Sequence, residues 1–278
     1  MTDHKVAIVT GSSSGIGYET ALVLARNGFR TYATMRNLEK AKAISDISKS
    51  EKLSLHTIKL DVTDEKSVNE AIKTIKSDAG RIDVLVNNAG YGLAGSLEDL
   101  LMNEIKAQYE TNVLGLIRVT PPVLPIMREQ RSGIIVNISS IGGKMAIPLQ
   151  SPYHGTKFAV EGLSESIAYE LEPFGIKIVI IEPGAIKTNF DTGMVVAQKN
   201  QNPSSPYYKS MQKFQSSLNS FVKNGSPPTK VAEVILNAIT TPNPNLRYTV
   251  GDDAALLAQK RRELPDSEFQ NLVLEFFK

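Results

Sequence analysis

A tyrosine and a lysine four residues apart, in Gln150-Ser151-Pro152-Tyr153-His154-Gly155-Thr156-Lys157, have the types and spacing for proton transfer. Ser151 is suited to cap a helix and Pro152 to be its first residue, so Tyr153 and Lys157 are expected on one face of the opening turn. A phenol with its ordinary pKa of about 10 is a poor acid or base at neutral pH. A neighbouring ammonium and the positive end of a helix both favour phenolate, which would tune Tyr153 toward acid/base work. The same spacing also arises on exposed helices that do no chemistry, so the weight of the pair depends on what converges with it.

Upstream, the apolar run Val6 to Thr10 is followed by Gly11-Ser12-Ser13-Ser14-Gly15-Ile16-Gly17 and then by a helical pattern carrying Ala21, Leu22, Leu24 and Ala25. Strand, glycine turn and helix together make an amide-lined anion site. Gly11 is expected to allow the tight turn, Gly15 the close approach of backbone to a pyrophosphate, and Gly17 the packing of helix on strand. Three residues separate Gly11 from Gly15, unlike the common G-x-G-x-x-G spacing, and a merely flexible loop is the alternative. A second strand, Arg30 to Met35, ends where a dinucleotide site usually carries an acid for the adenosine ribose; here Met35 is followed by Arg36. A guanidinium can hold a 2′-phosphate in a forked geometry, which favours NADP(H) over NAD(H), unless Arg36 is only a solvated surface charge.

The elements that must position these residues alternate between short apolar strands and amphipathic helices. After a helix from Asn37 or Leu38 to Lys49 comes a strand, Leu53 to Leu60, that ends at Asp61-Val62. A helix over Asp64 to Asp78 leads to a strand, Ile82 to Val86, closed by Asn87-Asn88-Ala89-Gly90. Ser96 to Met127 reads as helix with a kink or break near Thr120, because Pro121, Pro122 and Pro125 each disfavour helix by about 3 kcal/mol. The strand Gly133 to Ile138 ends at Ser139-Ser140, the Tyr153 helix runs to about Glu172, and the strand Ile176 to Ile181 precedes Pro183-Gly184. A helix over Thr229 to Thr240, a strand over Arg247 to Val250 and a helical tail complete the chain. The pattern predicts an α/β fold: a doubly wound, Rossmann-type parallel sheet of about seven strands, helices on both faces, one domain over residues 1–278. Ligands of such sheets lie outside the carboxyl ends of the strands, where the motifs fall. Residues 191–228 are the least regular stretch, and their scattered Met194, Val195, Met211, Phe214 and Phe221 fit either a lid over an apolar pocket or ordinary packing.

Composition excludes several classes. An apolar fraction of 41% and a charged fraction of 22% over 278 residues are those of an ordinary globular protein, and a net charge of +2 gives no reason to propose nucleic acid or an anionic membrane as partner. The chain has no Cys, and its three His (His4, His56, His154) are scattered, so no metal site is expected. No apolar run approaches the roughly 20 residues of a membrane span, and Met1 to Lys5 lead directly into a strand-like segment; a cytoplasmic location is expected.

Taken in order, Thr10 to Gly17, Asp61-Val62, Asn87-Asn88-Ala89-Gly90, Asn112, Ser140, Tyr153 with Lys157, and Pro183-Gly184 resemble the short-chain dehydrogenase/reductase family in its compact, single-domain branch. The resemblance covers nearly the whole chain. It implies that Tyr153 exchanges a proton with the carbonyl or alcohol oxygen, that Lys157 lowers its pKa and holds the nicotinamide ribose, and that Asn112 positions a water linking Lys157 to solvent. Ser140, at the family's usual separation from Tyr153, would be the substrate-orienting hydroxyl; Ser139 is one residue too far. The adenine would lie near Asp61 and Val62, the 2′-phosphate near Arg36 and Ser14, and the nicotinamide near Asn88, Gly90, Pro183 and Thr188. Ser13, Ile16, Ala89, Gly184 and Ile186 complete the expected cofactor contacts. The stretch Tyr248 to Asp266 bears a looser likeness to the extended end of relatives acting on apolar carbonyls, and members of the family are commonly homo-oligomers.

The function expected is an NADP(H)-dependent oxidoreductase interconverting a ketone or aldehyde, of apolar character, and an alcohol. The alternative from another class is a non-catalytic NADP(H)-binding sensor or interaction protein on the same fold, which has no need of a proton-transfer tyrosine.

Overall fold

Runs of aliphatic residues form strands here because both faces of the sheet are covered. In β1 (Val6–Val9) every side chain is buried, with Ala7 and Val9 in one apolar cluster and Val6 and Ile8 in another on the opposite face. The computed structural model describes residues 4–188 and 194–275. The remaining strands are β2 (Arg30–Met35), β3 (Leu55–Lys59), β4 (Val84–Asn87), β5 (Leu93–Ala94), β6 (Gly133–Ile138), β7 (Ile176–Pro183), β8 (Val195–Val196) and β9 (Arg247–Val250). Seven of them make one parallel sheet in the order β3-β2-β1-β4-β6-β7-β9, and β5 pairs with β8 apart from it. Ala7 lies opposite Thr31 on one side and Val84 on the other, so the chain order reverses between β1 and β4. That reversal opens a crevice at the strands' carboxyl ends.

The helices are α1 (Gly15–Arg26), α2 (Lys42–Ser50), α3 (Glu65–Ala79), α4 (Met102–Tyr109), α5 (Gly115–Gln130), α6 (Ser151–Leu171), α7 (Tyr208–Lys223), α8 (Pro228–Thr240), α9 (Asp252–Glu263) and α10 (Asp266–Glu275). On one face of the sheet, Leu22 and Leu24 of α1 pack with Ile235 and Ile239 of α8. On the other, Ile72 and Ile75 of α3 pack with Val119, Val123 and Met127 of α5. The Asp64 carboxylate caps α3 by accepting from the amides of Lys66 and Ser67, and Gly80 ends it at φ +73.

Four sequence expectations are corrected. The long helix does not begin at Ser96: residues 96–101 form turns before α4. It does not break near Thr120 either, and α5 runs through Pro121, Pro122 and Pro125. Pro121 and Pro125 face solvent, where carbonyls deprived of an amide can be hydrated, while Val119, Val123 and Met127 are fully buried. Burying each large apolar side chain contributes about 1.5–3 kcal/mol, enough to offset the prolines. The irregularity lies earlier, as a π-helical turn over Glu110–Leu114. Third, Ser151 does not cap α6; the N-cap is Gln150, and Ser151 is the first helical residue. Fourth, residues 194–228 are largely ordered as β8, a short 3₁₀ turn (Lys199–Gln201) and the 16-residue α7. Residues 191–193 of the expected loop lie outside the described residues.

Candidate active site

The end of β1 meets the end of β4 across the glycine turn. Gly11 and Gly15 have φ of +68 and +61, a region that side chains disfavour. A Cβ on Gly17 would fall 2.4 Å from Asn88 Nδ2 and 2.6 Å from the Gly11 carbonyl oxygen. The close approach that requires Gly17 is therefore to the Asn88 side chain and the turn itself. Asn88 Nδ2 donates to the carbonyls of Thr10 (2.9 Å) and Gly11 (3.2 Å), while Thr10 Oγ1 accepts from the amides of Asn88 (3.0 Å) and Ala89 (3.1 Å). This lacing fixes the opening of α1, whose first amides lack intrahelical partners and carry the positive end of the helix dipole. Ser14 stands at the N-cap without a side-chain capping bond, and Thr188 methyl lies against Gly15 from the opposite wall.

At the end of β2, Met35 is buried and Arg36 is exposed at the cleft, with no hydrogen bond or ion pair to any described residue. Its charge reaches Tyr91, whose phenol is raised by burial and lowered in the opposite sense by Arg36. The Asp61 carboxylate is occupied by the amide and hydroxyl of Thr63, at 2.9 and 2.8 Å.

The catalytic candidates converge from three elements. Ser140 follows β6; its hydroxyl lies close enough to the Tyr153 phenol on α6 to pull the phenol's pKa down, and donates to the Pro183 carbonyl at 3.4 Å. Ser140 Oγ also accepts from the Gly142 amide at 3.0 Å. Lys157 Nζ donates to the Ile138 carbonyl at 2.9 Å and lies 5.8 Å from the Tyr153 ring centre. Tyr153 and Lys157 are each only 8% exposed. Burial dominates both: it pushes Tyr153 up to about 12 against the nearby Ser140 hydroxyl, and Lys157 down to about 8 against the Glu161 carboxylate. The expected drift of Tyr153 toward phenolate is not what the chain alone produces; desolvation outweighs the opposing pull of the Ser140 hydroxyl. The neutral phenol is the proton-donating form.

Asn112 lies in the π-helical turn, behind the cleft wall. Its Oδ1 accepts from the Tyr91 amide (3.0 Å), and its Nδ2 donates to the Tyr91 carbonyl (2.9 Å) and to Thr156 Oγ1 (3.2 Å). Thr156 Oγ1 in turn donates to the Tyr153 carbonyl at 2.7 Å. The side chain thus ties the segment after β4 to the first turn of α6; π-helical turns recur at functional sites for such local re-aiming.

One cleft of about 1250 Å³ gathers Gly11, Ser13, Ser14, Gly15, Ile16, Arg36, Asp61, Val62, Asn88, Ala89, Gly90, Ser140, Tyr153, Lys157, Pro183, Gly184, Ile186 and Thr188. Gly17 and Asn112 support it from behind. Its far end is lined by residues that sequence reading did not single out: Met145 and Ile147 after β6, Leu218 on α7, Leu257 on α9 and Val273 on α10, with Met194 and Phe221 beside them. These come together only through tertiary contact. Two polar groups were also missed. His154 Nε2 accepts from the Ile147 amide (3.0 Å), so Nδ1 carries the proton and donates to the Gly142 carbonyl (2.9 Å); burial holds this imidazole below its usual pKa. Asp253 Oδ2 accepts from the Ala185 amide at 2.7 Å, and Gly184 makes room for that carboxylate, since a Cβ there would lie 2.2 Å from it. Among the described residues no helix is long and apolar enough to cross a membrane, and no group of His, Asp and Glu could hold a metal ion.

A family model described as short chain dehydrogenase matches residues 5–199. The chain is 36% identical over 277 residues to a 3-ketodihydrosphingosine reductase of Bacteroides thetaiotaomicron, covering 98% of each protein. A solved short-chain dehydrogenase from Streptomyces avermitilis aligns with a TM-score of 0.84 and 34% identity over 98% of this chain and 97% of that one. An alcohol dehydrogenase from the archaeon Thermococcus sibiricus, solved with 5-hydroxy-NADP, aligns with a TM-score of 0.73 and 26% identity over 89% and 96%. With the glycine turn, the sheet order and the Ser140–Tyr153–Lys157 cluster in one cleft, these matches place the chain in the short-chain dehydrogenase/reductase family, as an NAD(P)-dependent oxidoreductase acting on CH–OH donors.

Proposed function

We propose that the protein is an NADP(H)-dependent oxidoreductase that interconverts an apolar ketone or aldehyde and its alcohol, with Tyr153 as general acid/base. The observation that carries this reading is the convergence of Ser140 with the buried Tyr153 and Lys157, in a cleft whose other end is the N-terminus of α1. The residues fit a dinucleotide: the amides opening α1 would hold a pyrophosphate, Arg36 a 2′-phosphate, and Val62 and Asp61 the adenine side, while Gly90, Pro183, Ile186 and Thr188 flank the nicotinamide end. When bound, the nicotinamide group supplies or takes up the hydride.

The chain's own residues handle the proton. In the reducing direction the Tyr153 hydroxyl gives its proton to the carbonyl oxygen, and Ser140 Oγ donates a hydrogen bond to the same oxygen. The Lys157 ammonium then stabilises the phenolate left behind, and Asn112 holds the α6 turn on which both stand. Met145, Ile147, Leu218 and Val273 favour an apolar substrate body. The Bacteroides relative is by name a reductase of a keto compound, and the Thermococcus enzyme was solved with an NADP derivative, which agrees with this reading.

The test is purified protein with NADPH and a panel of apolar ketones and aldehydes. Consumption of NADPH with at least one of them, lost in Tyr153→Phe, is expected. Tight NADPH binding without turnover of any carbonyl would instead favour a non-catalytic sensor.

A further inference from the structure

One helical turn beyond Lys157, α6 carries Glu161. Its side chain is buried at 6% exposure, with Oε2 accepting from Arg247 Nε on β9 at 3.0 Å and Oε1 without a hydrogen-bond partner. Arg247 also donates through Nη2 to Glu165 at 2.6 Å and lies 3.6 Å from Glu182 Oε1 on β7. Glu182 is 3% exposed; its Oε2 accepts from the Thr249 hydroxyl at 3.0 Å, and its Oε1 has no hydrogen-bond partner. One guanidinium therefore faces three carboxylates, two of them buried. The loop after β6 closes over this cluster at Gly143, where a Cβ would lie 3.0 Å from Glu161 Cγ, 3.0 Å from the Lys157 carbonyl oxygen and 2.7 Å from Ser139 Oγ.

Burying a carboxylate with an oxygen left unbonded is costly, and joining β9 to α6 does not require it, since the exposed Glu165 already pairs with the same arginine. The buried charge does have a recipient. Lys157 Nζ is held by a backbone carbonyl, and Glu161 is the carboxylate whose field supports its proton against burial. The other titratable groups around the two are Tyr153 and His154 on α6, Tyr109 on α4 facing Gly155, Lys144 beside Glu182, and Glu165, Glu182 and Arg247.

We infer that Glu161, anchored by Arg247, is a positioning residue that keeps Lys157 in its ammonium form and so sets the alkaline limit of the reaction. This rests on the role given to Lys157 in carbonyl reduction. Glu161 supplies the negative field, and Arg247 tempers it and fixes where it points.

The test is the pH profile of kcat/KM with NADPH, together with the pH dependence of NADPH affinity, for the full chain and its variants. An active wild type secures the reading beneath. Glu161→Gln should move the alkaline limb down by about one pH unit. Glu161→Asp, which keeps the charge, should leave the limb near that of the wild type. Arg247→Gln should move it up, a direction that general loosening of the fold would not produce. Glu165→Gln removes an exposed partner of Arg247 and should leave the limb in place. Coincident limbs for wild type, Glu161→Gln and Arg247→Gln would overturn the inference while leaving the reductase reading intact.

Discussion

Ser140 and Tyr153 meet at the cleft, close enough for the Ser140 hydroxyl to favour the phenolate, although one follows β6 and the other stands in the first turn of α6. His154 holds that geometry from the adjacent position, by linking the Gly142 carbonyl to the Ile147 amide. Both side chains line the cleft. Ser140→Ala is expected to lower kcat by about a hundredfold or more while NADPH affinity stays within about twofold. Steady-state kinetics beside a binding titration would decide it; an unchanged kcat would remove Ser140 from the reaction.

Arg36 meets the cleft with its charge unpaired among the described residues. A charge-assisted hydrogen bond contributes about 1.5–3 kcal/mol, so Arg36→Leu should weaken NADPH by about ten- to a hundredfold and leave NADH almost untouched. Equal losses for both nucleotides would assign Arg36 a role other than reading the 2′-phosphate.

Gly17 and Gly162 make a matched pair of helix glycines with opposite forecasts. A methyl on Gly17 collides with Asn88 and the Gly11 carbonyl, whereas a Cβ on Gly162 in α6 meets nothing within 4 Å. Gly17→Ala should cost about 1–3 kcal/mol of stability and most of the nucleotide affinity. Gly162→Ala should stabilise by up to about 1 kcal/mol and leave kinetics alone. Denaturant melts of the two variants check both signs.

Lys157 gives a pH signature of its own. Its folded pKa is depressed to about 8, so between there and its ordinary value of 10.5 the unfolded chain binds more protons than the folded one. Stability without nucleotide should therefore rise through that window, by an amount on the order of 3 kcal/mol for this one group. Lys157→Met should abolish the rise. Tyr153, raised to about 12, acts oppositely at higher pH: its contribution is full below 10 and lost as pH climbs toward 12.

Much of this architecture is legible in the chain because local and global preferences agree. A doubly covered sheet demands continuous aliphatic runs, which Val6–Val9 and Ile176–Pro183 supply, and α3 falls within one residue of its expected bounds because its Asp64 cap and its Val68, Ala71, Ile72, Ile75 face are both local signals. Every residue expected at the cofactor or the reacting atoms lines the cleft or braces its wall. What stayed hidden depends on tertiary context. Helix α5 persists through three prolines because one face is buried, and the π-helical turn that carries Asn112 has no sequence mark. In α7 the Met211, Phe214 and Leu218 spacing is helical, but the surrounding Ser, Asn and Gln obscure it; Met211 and Phe214 pack, while Leu218 and Phe221 line the cleft. Val273 arrives from α10, more than a hundred residues beyond Tyr153.

The most direct measurement is single-turnover reduction of an apolar ketone by Tyr153→Phe with saturating NADPH, beside a titration of its NADPH affinity. The phenol ring is buried, so its oxygen can be deleted with little change to the cleft. Nucleotide affinity within about threefold of wild type, with the chemical step slowed by about a thousandfold or more, is the predicted result. A Tyr153→Phe protein that reduces the ketone at the wild-type rate would contradict the assignment of Tyr153 as the proton donor.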